Sequence, residues 1–245
     1  MEKNVNIFIG AHKSFEPLVS NDIYKIIVGN HKIKNNSNLE VIECGNEDDI
    51  LDDKFYSEYY MLKSISERDD LPKYVGFCHY NKYFEFLDNV PDMDVVFNEA
   101  SCVTASPVKL YGTVKEQYGL CHNAEDLEII EDIIRKRYKS YCEPMELFLN
   151  GKVLIPYNMF IMKRSDFKKC CKFVLGVLEK YIKIVGTDIS KRIEDNKDKY
   201  LKKFSPNDTP EYQYRIGGYL AERLTNIFIM KNFKQIQLYS VVRAK

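Results

Sequence analysis

The chain has 245 residues, 45% hydrophobic and 29% charged, an ordinary globular balance with enough length for one large α/β domain. Its 36 basic and 36 acidic residues cancel, so composition gives no broad electrostatic footprint for nucleic acid. Seven scattered cysteines without a CxxC pair argue against a zinc site or disulfide framework and fit reduced thiols in a cytosol. No run approaches the roughly 18–20 apolar residues of a membrane span.

In chain order, "VNIFIGA" (5–11) reads as a buried strand, too short for the apolar core of a signal peptide, and runs into His12 and Lys13. His31 falls in a polar stretch expected to be an exposed loop, and "LEVIECG" (39–45) is a second strand. Tyr56, Tyr59, Tyr60, Leu62 and Ile65 recur at helical spacing across 54–69. "YVGFCHY" (74–80) is a third strand, and "MDVVFN" (93–98) with "SCVTAS" (101–106) gives one or two more. "AEDLEIIEDIIRKRY" (124–138) is an amphipathic helix with Asn123 as N-cap, acids in its first turn and bases in its last.

"KVLIPYNMFIMK" (152–163) reads as one strand, followed by a long helix over 165–185 capped by Ser165. The polar, charge-rich 189–210 is a surface helix and loop, the best candidate for a lid or acceptor-side segment. A helix opened by Pro210 covers 210–232, and 234–242 closes the chain as a strand. Strands alternating with helices predict an α/β fold with a mostly parallel sheet, in a single domain over 1–245. The 18 tyrosines and 14 phenylalanines suit a polar-aromatic pocket, although richness in Lys, Asn, Ile and Tyr also follows from an AT-rich genome.

Ligands of open α/β sheets bind beyond the carboxyl ends of the strands. "GAHK", "CHYNKY" and "PYNMF" carry polar residues there, which predicts a cleft rimmed by His12, Lys13, His79, Tyr80 and Asn158. Asn158, read as an amide inside an apolar strand, needs hydrogen-bond partners and suits sugar hydroxyls.

These segments resemble, in order and over most of the chain, a bacterial family of capsular and exopolysaccharide glycosyltransferases catalogued as a domain of unknown function, with galactofuranosyltransferase-like members. "YVGFCHYNKYF" is similar to its His-Tyr-x-x-Tyr-Phe signature, "YNMFIMK" to its Asn-Met-Phe-Ile strand, and "RIGGYLAERL" to its Arg-x-x-Gly-x-Leu-Ala-Glu-Arg-Leu helix. "GAHK" with "YKIIVGN", the Glu58-bearing "YSEYYMLKSI" and the His122-then-Asp126 stretch complete the series. Asn81 departs from the family's cation after His-Tyr, and the Trp-rich helix before Glu58 is missing; both bear on donor or acceptor identity more than on fold.

The resemblance implies a GT-A-like, Rossmann-type fold with a nucleotide-binding half over about 1–110 and an acceptor-side half over about 111–245. It implies transfer of a hexose, UDP-linked and with galactofuranose as one option, from a nucleotide sugar to a glycan or lipid-linked glycan. Substrate-binding residues are then expected at Ala11, His12, Lys13, Tyr80, Asn81, Lys82, His122, Asn158, Met159, Arg215 and Arg223, and catalytic ones at His79 and Glu222. A cytoplasmic location follows, with peripheral contact at the inner face of the membrane left open.

Such a reaction must stabilise a departing diphosphate and position an acceptor hydroxyl. Asp92-Met93-Asp94 is the one Asp-x-Asp triplet, but it precedes the apolar "VVF", so its carboxylates would point to the wrong end and a solvated turn is the simpler reading. A divalent metal, Mn or Mg, is therefore left open, and His79 and Lys82 are the alternative phosphate contacts. For a carboxylate base, Glu222 is chosen over Asp126, Glu58 and Asp94. A Glu222–Arg223 pair and a backbone-bonded His79 are the structural alternatives. Arg215, seven residues before Glu222, is expected on roughly the same helix face. His122 precedes a helix N-terminus, where an anion or simple capping fits. A nucleotidyltransferase is disfavoured because "GAHKSF" is a poor phosphate loop; a non-catalytic nucleotide- or glycan-binding accessory protein of polysaccharide assembly is the alternative.

Overall fold

A computed structural model describes residues 4–30, 32–45, 51–201 and 209–244; His31 lies outside them. Apolar runs become strands β1 (Val5–Ala11), β2 (Tyr24–Val28), β3 (Glu40–Glu43), β4 (Tyr74–His79), β5 (Lys82–Phe84) and β6 (Cys102–Ala105). After these come the short β7 (Val108–Lys109) and β8 (Val153–Leu154), then β9 (Phe160–Lys163), β10 (Ile236–Tyr239) and β11 (Val241–Arg243). The main sheet runs β10-β6-β9-β4-β1-β2-β3, with β5 and β11 attached beside β4 and with β7–β8 a separate ribbon. Along that order only β9 runs against the rest, so the sheet is mixed and mostly parallel, as the alternation of elements predicts.

The helices are α1 (Asp53–Tyr56), α2 (Glu58–Glu67), α3 (Met93–Glu99), α4 (Val114–Cys121), α5 (Ala124–Arg137), α6 (Cys142–Asn150), α7 (Arg164–Val185), α8 (Ile189–Asp195), α9 (Lys197–Tyr200), α10 (Pro210–Gln213) and α11 (Ile216–Asn232). Successive side chains of a strand point to opposite faces. Phe8 of β1 and Phe77 of β4 therefore join the larger core with α2, α5, α6, α7 and α11, while Ile7, Ile9 and Cys78 join a smaller core with α3. Both faces of β1 and β4 are covered, which explains their near-continuous apolar sequences.

Several expected elements change form. "MDVVFN" is the helix α3, because Asp92 caps it by accepting the Asp94 N–H. The predicted 54–69 helix breaks at Ser57, which has φ 49°. The 152–163 strand divides into β8 and β9, and Ser165 lies inside α7, whose start has no side-chain cap. The helix opened by Pro210 stops at Gln213, so Arg215 precedes α11 instead of sharing a face with Glu222 along one helix. Residues 234–242 form two strands, β10 beside β6 and β11 turned onto β5.

Candidate functional site

A cleft of about 1050 Å³ opens at the carboxyl ends of β1 and β4. Gly10, Ala11 and His12 reach it from β1, and Tyr80 is drawn there because its N–H donates to the Gly10 carbonyl at 3.0 Å. The tight β4–β5 turn, in which His79 pairs with Lys82, adds Asn81 and Lys82. Since β9 is antiparallel, its start lies at this same end, and Tyr157 and Asn158 enter the cleft from the loop before it. Asn158 is therefore a loop residue and not a residue inside a strand.

Tyr157 and Asn158 both have left-handed backbones, with φ 73° and 51°. Such conformations persist in non-glycine residues only where surrounding contacts hold them. Here Glu222 Oε1 accepts the Tyr157 N–H at 2.8 Å, and His79 Nε2 donates to the Tyr157 carbonyl. Arg243 donates to the Tyr157 hydroxyl at 2.7 Å, and Lys82 Nζ lies 4.9 Å from the centre of its ring. Asn226 of α11 grips Ile155 at both N–H and carbonyl, each at 2.9 Å. Within this clamp Asn158 is 5% exposed, and its Oδ1 is buried with no hydrogen-bond partner among the described residues.

His79 is 9% exposed, and its Nδ1 lies 3.6 Å from Glu58 Oε1. Burial pushes its pKa below the usual histidine value, against the opposing pull of Glu58 and the Tyr157 carbonyl. Burial, with Arg243 and Arg215 nearby, likewise lowers the pKa of Lys82 against the pull of Glu58. Glu58 opens α2 directly after the Ser57 break, and Arg215 reaches back to the same place, donating to Ser57 Oγ at 3.1 Å and lying 3.9 Å from Glu58. The Gly217–Gly218 pair permits this approach, since a Cβ on Gly218 would lie 2.5 Å from Ser57 Oγ.

Of the residues predicted from sequence, Ala11, His12, His79, Tyr80, Asn81, Lys82, Asn158, Arg215 and Glu222 all line the cleft. Lys13 sits beside it, 5.3 Å over the Tyr80 ring. Met159 is core, 1% exposed. His122 is buried behind the wall, stacked 4.0 Å from Tyr219 with Nδ1 3.2 Å from Gln213 Oε1. Arg223 also lies behind it, donating to Glu222 Oε2 at 2.8 Å and to Gln117 at 2.6 Å, so the expected alternative of a Glu222–Arg223 pair is what forms. Sequence reasoning passed over Tyr157, Arg243 and the Ser57 break, none of which carries a local signal of its own.

Among the other carboxylates, Asp126 is fully buried, its Oδ1 accepting from Tyr181 and Arg192. Asp94 sits at the opposite end of the sheet, bound to Asn4, Lys73 and Tyr74, so the Asp-x-Asp triplet lies far from the cleft. Asp52, Asp53, Lys54, Glu194 and Glu211 also line the cleft, with Tyr212 and Tyr214. No group of three or more His, Cys, Asp or Glu among the described residues is placed to hold a metal ion.

No described helix is long and apolar enough to cross a membrane. No curated protein matches the chain. Among solved structures, the chain is similar to one described as an apo bifunctional glycosyltransferase, WbbM, at TM-score 0.67 and 18% identity. The likeness covers 98% of this chain and 45% of that one, so this chain spans less than half the length of its structural relative. It shows a shared fold. The model of the family described as a domain of unknown function, DUF4422, matches residues 6–233, and the chain belongs to that family.

Proposed function

We propose that the protein is a glycosyltransferase that moves a hexosyl group from a nucleotide sugar, UDP-linked and with galactofuranose as one option, to a growing cell-surface glycan. The supporting observation is the convergence of Lys82, Arg215, His79 and Asn158 on one cleft at the carboxyl ends of β1 and β4. Asn158 lines that cleft, and its amide has the donor and acceptor groups that suit sugar hydroxyls. Lys82 and Arg215 are the cations for the diphosphate, whose charge grows as the glycosidic bond breaks. His79 holds the Tyr157–Asn158 loop and faces Glu58. Glycosyltransferase likeness in fold supports this reading without fixing donor or acceptor.

Calorimetric titration of the protein with UDP and a panel of nucleotide sugars, followed by assay of UDP release with and without acceptor extract, tests it. Binding and turnover are expected, with Lys82→Ala and Arg215→Ala each weakening UDP binding about tenfold or more, the loss of one charge-assisted contact. Absence of binding to any nucleotide sugar would overturn the proposal. Tight binding without turnover in any extract would favour a non-catalytic accessory protein.

A further inference from the structure

The reaction proposed above leaves one proton to place, and two carboxylates of the cleft, Glu58 and Glu222, lie close enough to act on His79. Glu222 is already committed: Oε1 accepts the Tyr157 N–H and Oε2 accepts Arg223, each at 2.8 Å. A carboxylate whose oxygens both hold structural donors is a poor proton acceptor, and taking a proton would release the left-handed Tyr157–Asn158 pair that it fixes. Glu58 differs. Its nearest ionisable neighbours are His79 Nδ1 at 3.6 Å and Arg215 at 3.9 Å, both beyond hydrogen-bond distance, and its side chain is 17% exposed. Lys82 and Tyr219 also feel its charge, and Asp52, Asp53, Lys54 and Glu222 line the same cleft.

The position is built. Glu58 is projected into the cleft by the break at Ser57, whose positive φ a serine adopts only under constraint, and Arg215 and Gly218 lock that break in place. His79 donates through Nε2 to Tyr157, so its neutral form turns an unprotonated Nδ1 toward Glu58. At 3.6 Å that nitrogen gives Glu58 no hydrogen bond, so no donor from His79 occupies the carboxylate. Glu58 lines the cleft near Lys82 and Arg215, the cations assigned to the diphosphate.

Resting on the glycosyltransferase reading, we propose that Glu58, and not Glu222, is the general base, and that transfer inverts the anomeric centre. The acceptor O–H bond breaks as its oxygen bonds to the anomeric carbon, and the proton passes to Glu58. The bond from that carbon to the phosphate oxygen breaks, its electron pair leaving on the nucleoside diphosphate beside Lys82 and Arg215. Glu222 is a positioning residue that holds the sugar-binding loop.

The test uses the whole protein with UDP-galactose, UDP-galactofuranose, UDP-glucose and UDP-N-acetylglucosamine, with water or an acceptor extract as acceptor. It reads UDP affinity, UDP release, and the anomeric configuration of the first product by proton NMR. Glu58→Gln is expected to keep the melting temperature and UDP affinity, and to lose about 100-fold or more in release rate, the range for a general base. Glu58→Ala should recover turnover with sodium azide, a nucleophile with no proton to lose, and yield the inverted glycosyl azide. Glu222→Gln should mainly raise KM for the donor. Turnover by Glu58→Gln within about threefold of the wild type, or a product of retained configuration, would overturn the assignment while leaving the glycosyltransferase reading intact. A wild-type protein that binds and releases nothing with all four donors would take down both.

Discussion

The imidazole of His79 is buried, and its Nε2 supports the carbonyl of a residue held at φ 73°. Replacing it with alanine removes that donor as well as the neighbour of Glu58. His79→Ala is therefore expected to destabilise the fold by about 1–3 kcal/mol, the cost of an unsatisfied buried group, or about 2–12 °C in Tm for a chain of this size. His79→Gln can still offer an N–H to Tyr157 and should recover much of the loss in a thermal melt. Full recovery of Tm with activity still absent would place His79 in the chemistry as well as in the scaffold. The lowered pKa carries a pH signature. Above the ordinary histidine pKa, near 6.5, the residue is neutral in both states and contributes no pH dependence. As pH falls below that value the unfolded chain binds a proton that the folded chain resists, so stability drops until the folded pKa is reached. Denaturant melts between pH 7.5 and 5 should show this fall in the wild type and a shallower one in His79→Gln.

Among the elements, α8 forms a wall of the cleft through Ser190, Ile193 and Glu194, and its anchorage decides whether that wall is fixed. Arg192 donates to the buried Asp126 at 2.7 Å and to the Tyr200 hydroxyl at 2.9 Å, tying α8 to α5 and α9. Removing one member of such a pair strands a charge, and Arg192→Met is expected to cost about 3–5 kcal/mol in chemical denaturation. Asp126→Leu combined with Arg192→Met should restore a large part of it, since the buried carboxylate is then gone; a double variant no more stable than the single would refute this account. The 189–210 stretch shows what sequence could reveal here: its polar character places α8 and α9 at the surface, but no spacing rule links Arg192 to an aspartate 66 residues earlier. Strands β1, β4 and β6 were legible because they are buried and their runs are nearly all apolar. The helix α3 was misread because four apolar residues in "MDVVF" suit either state, and the cap at Asp92 decides it. Likewise "PYNMF" gave the right residues for the wrong reason: a strand was expected, and a left-handed turn stands there.

For the molecule as a whole, the reversed strand β9 is the feature that gathers the cleft. Running parallel, it would place Tyr157 and Asn158 at the far end of the sheet, beside Asp94; running antiparallel between β4 and β6, it brings them to His79. The site thereby joins residues from near the start of the chain, Gly10 to His12, to residues of α11 close to its end. The proposed division into a nucleotide half over about 1–110 and an acceptor half over about 111–245 makes a distinct prediction for this geometry. A ligand that binds only the folded state stabilises it by mass action, by about 2.7 kcal/mol at a hundredfold excess over Kd, which is about 5–11 °C in Tm for this size. Hydrogen exchange should show where that stabilisation resides. UDP alone is expected to protect amides at the end of β1, around Gly29, through the 79–82 turn and beside Arg215, with 157–158 protected further only when the sugar is attached, since Asn158 is assigned to the sugar and not to the phosphate. Protection by UDP confined to α8, α10 and the start of α11 would reverse the two halves. Equal protection at Asn158 by UDP and by the UDP-sugar would remove the sugar from its assigned place.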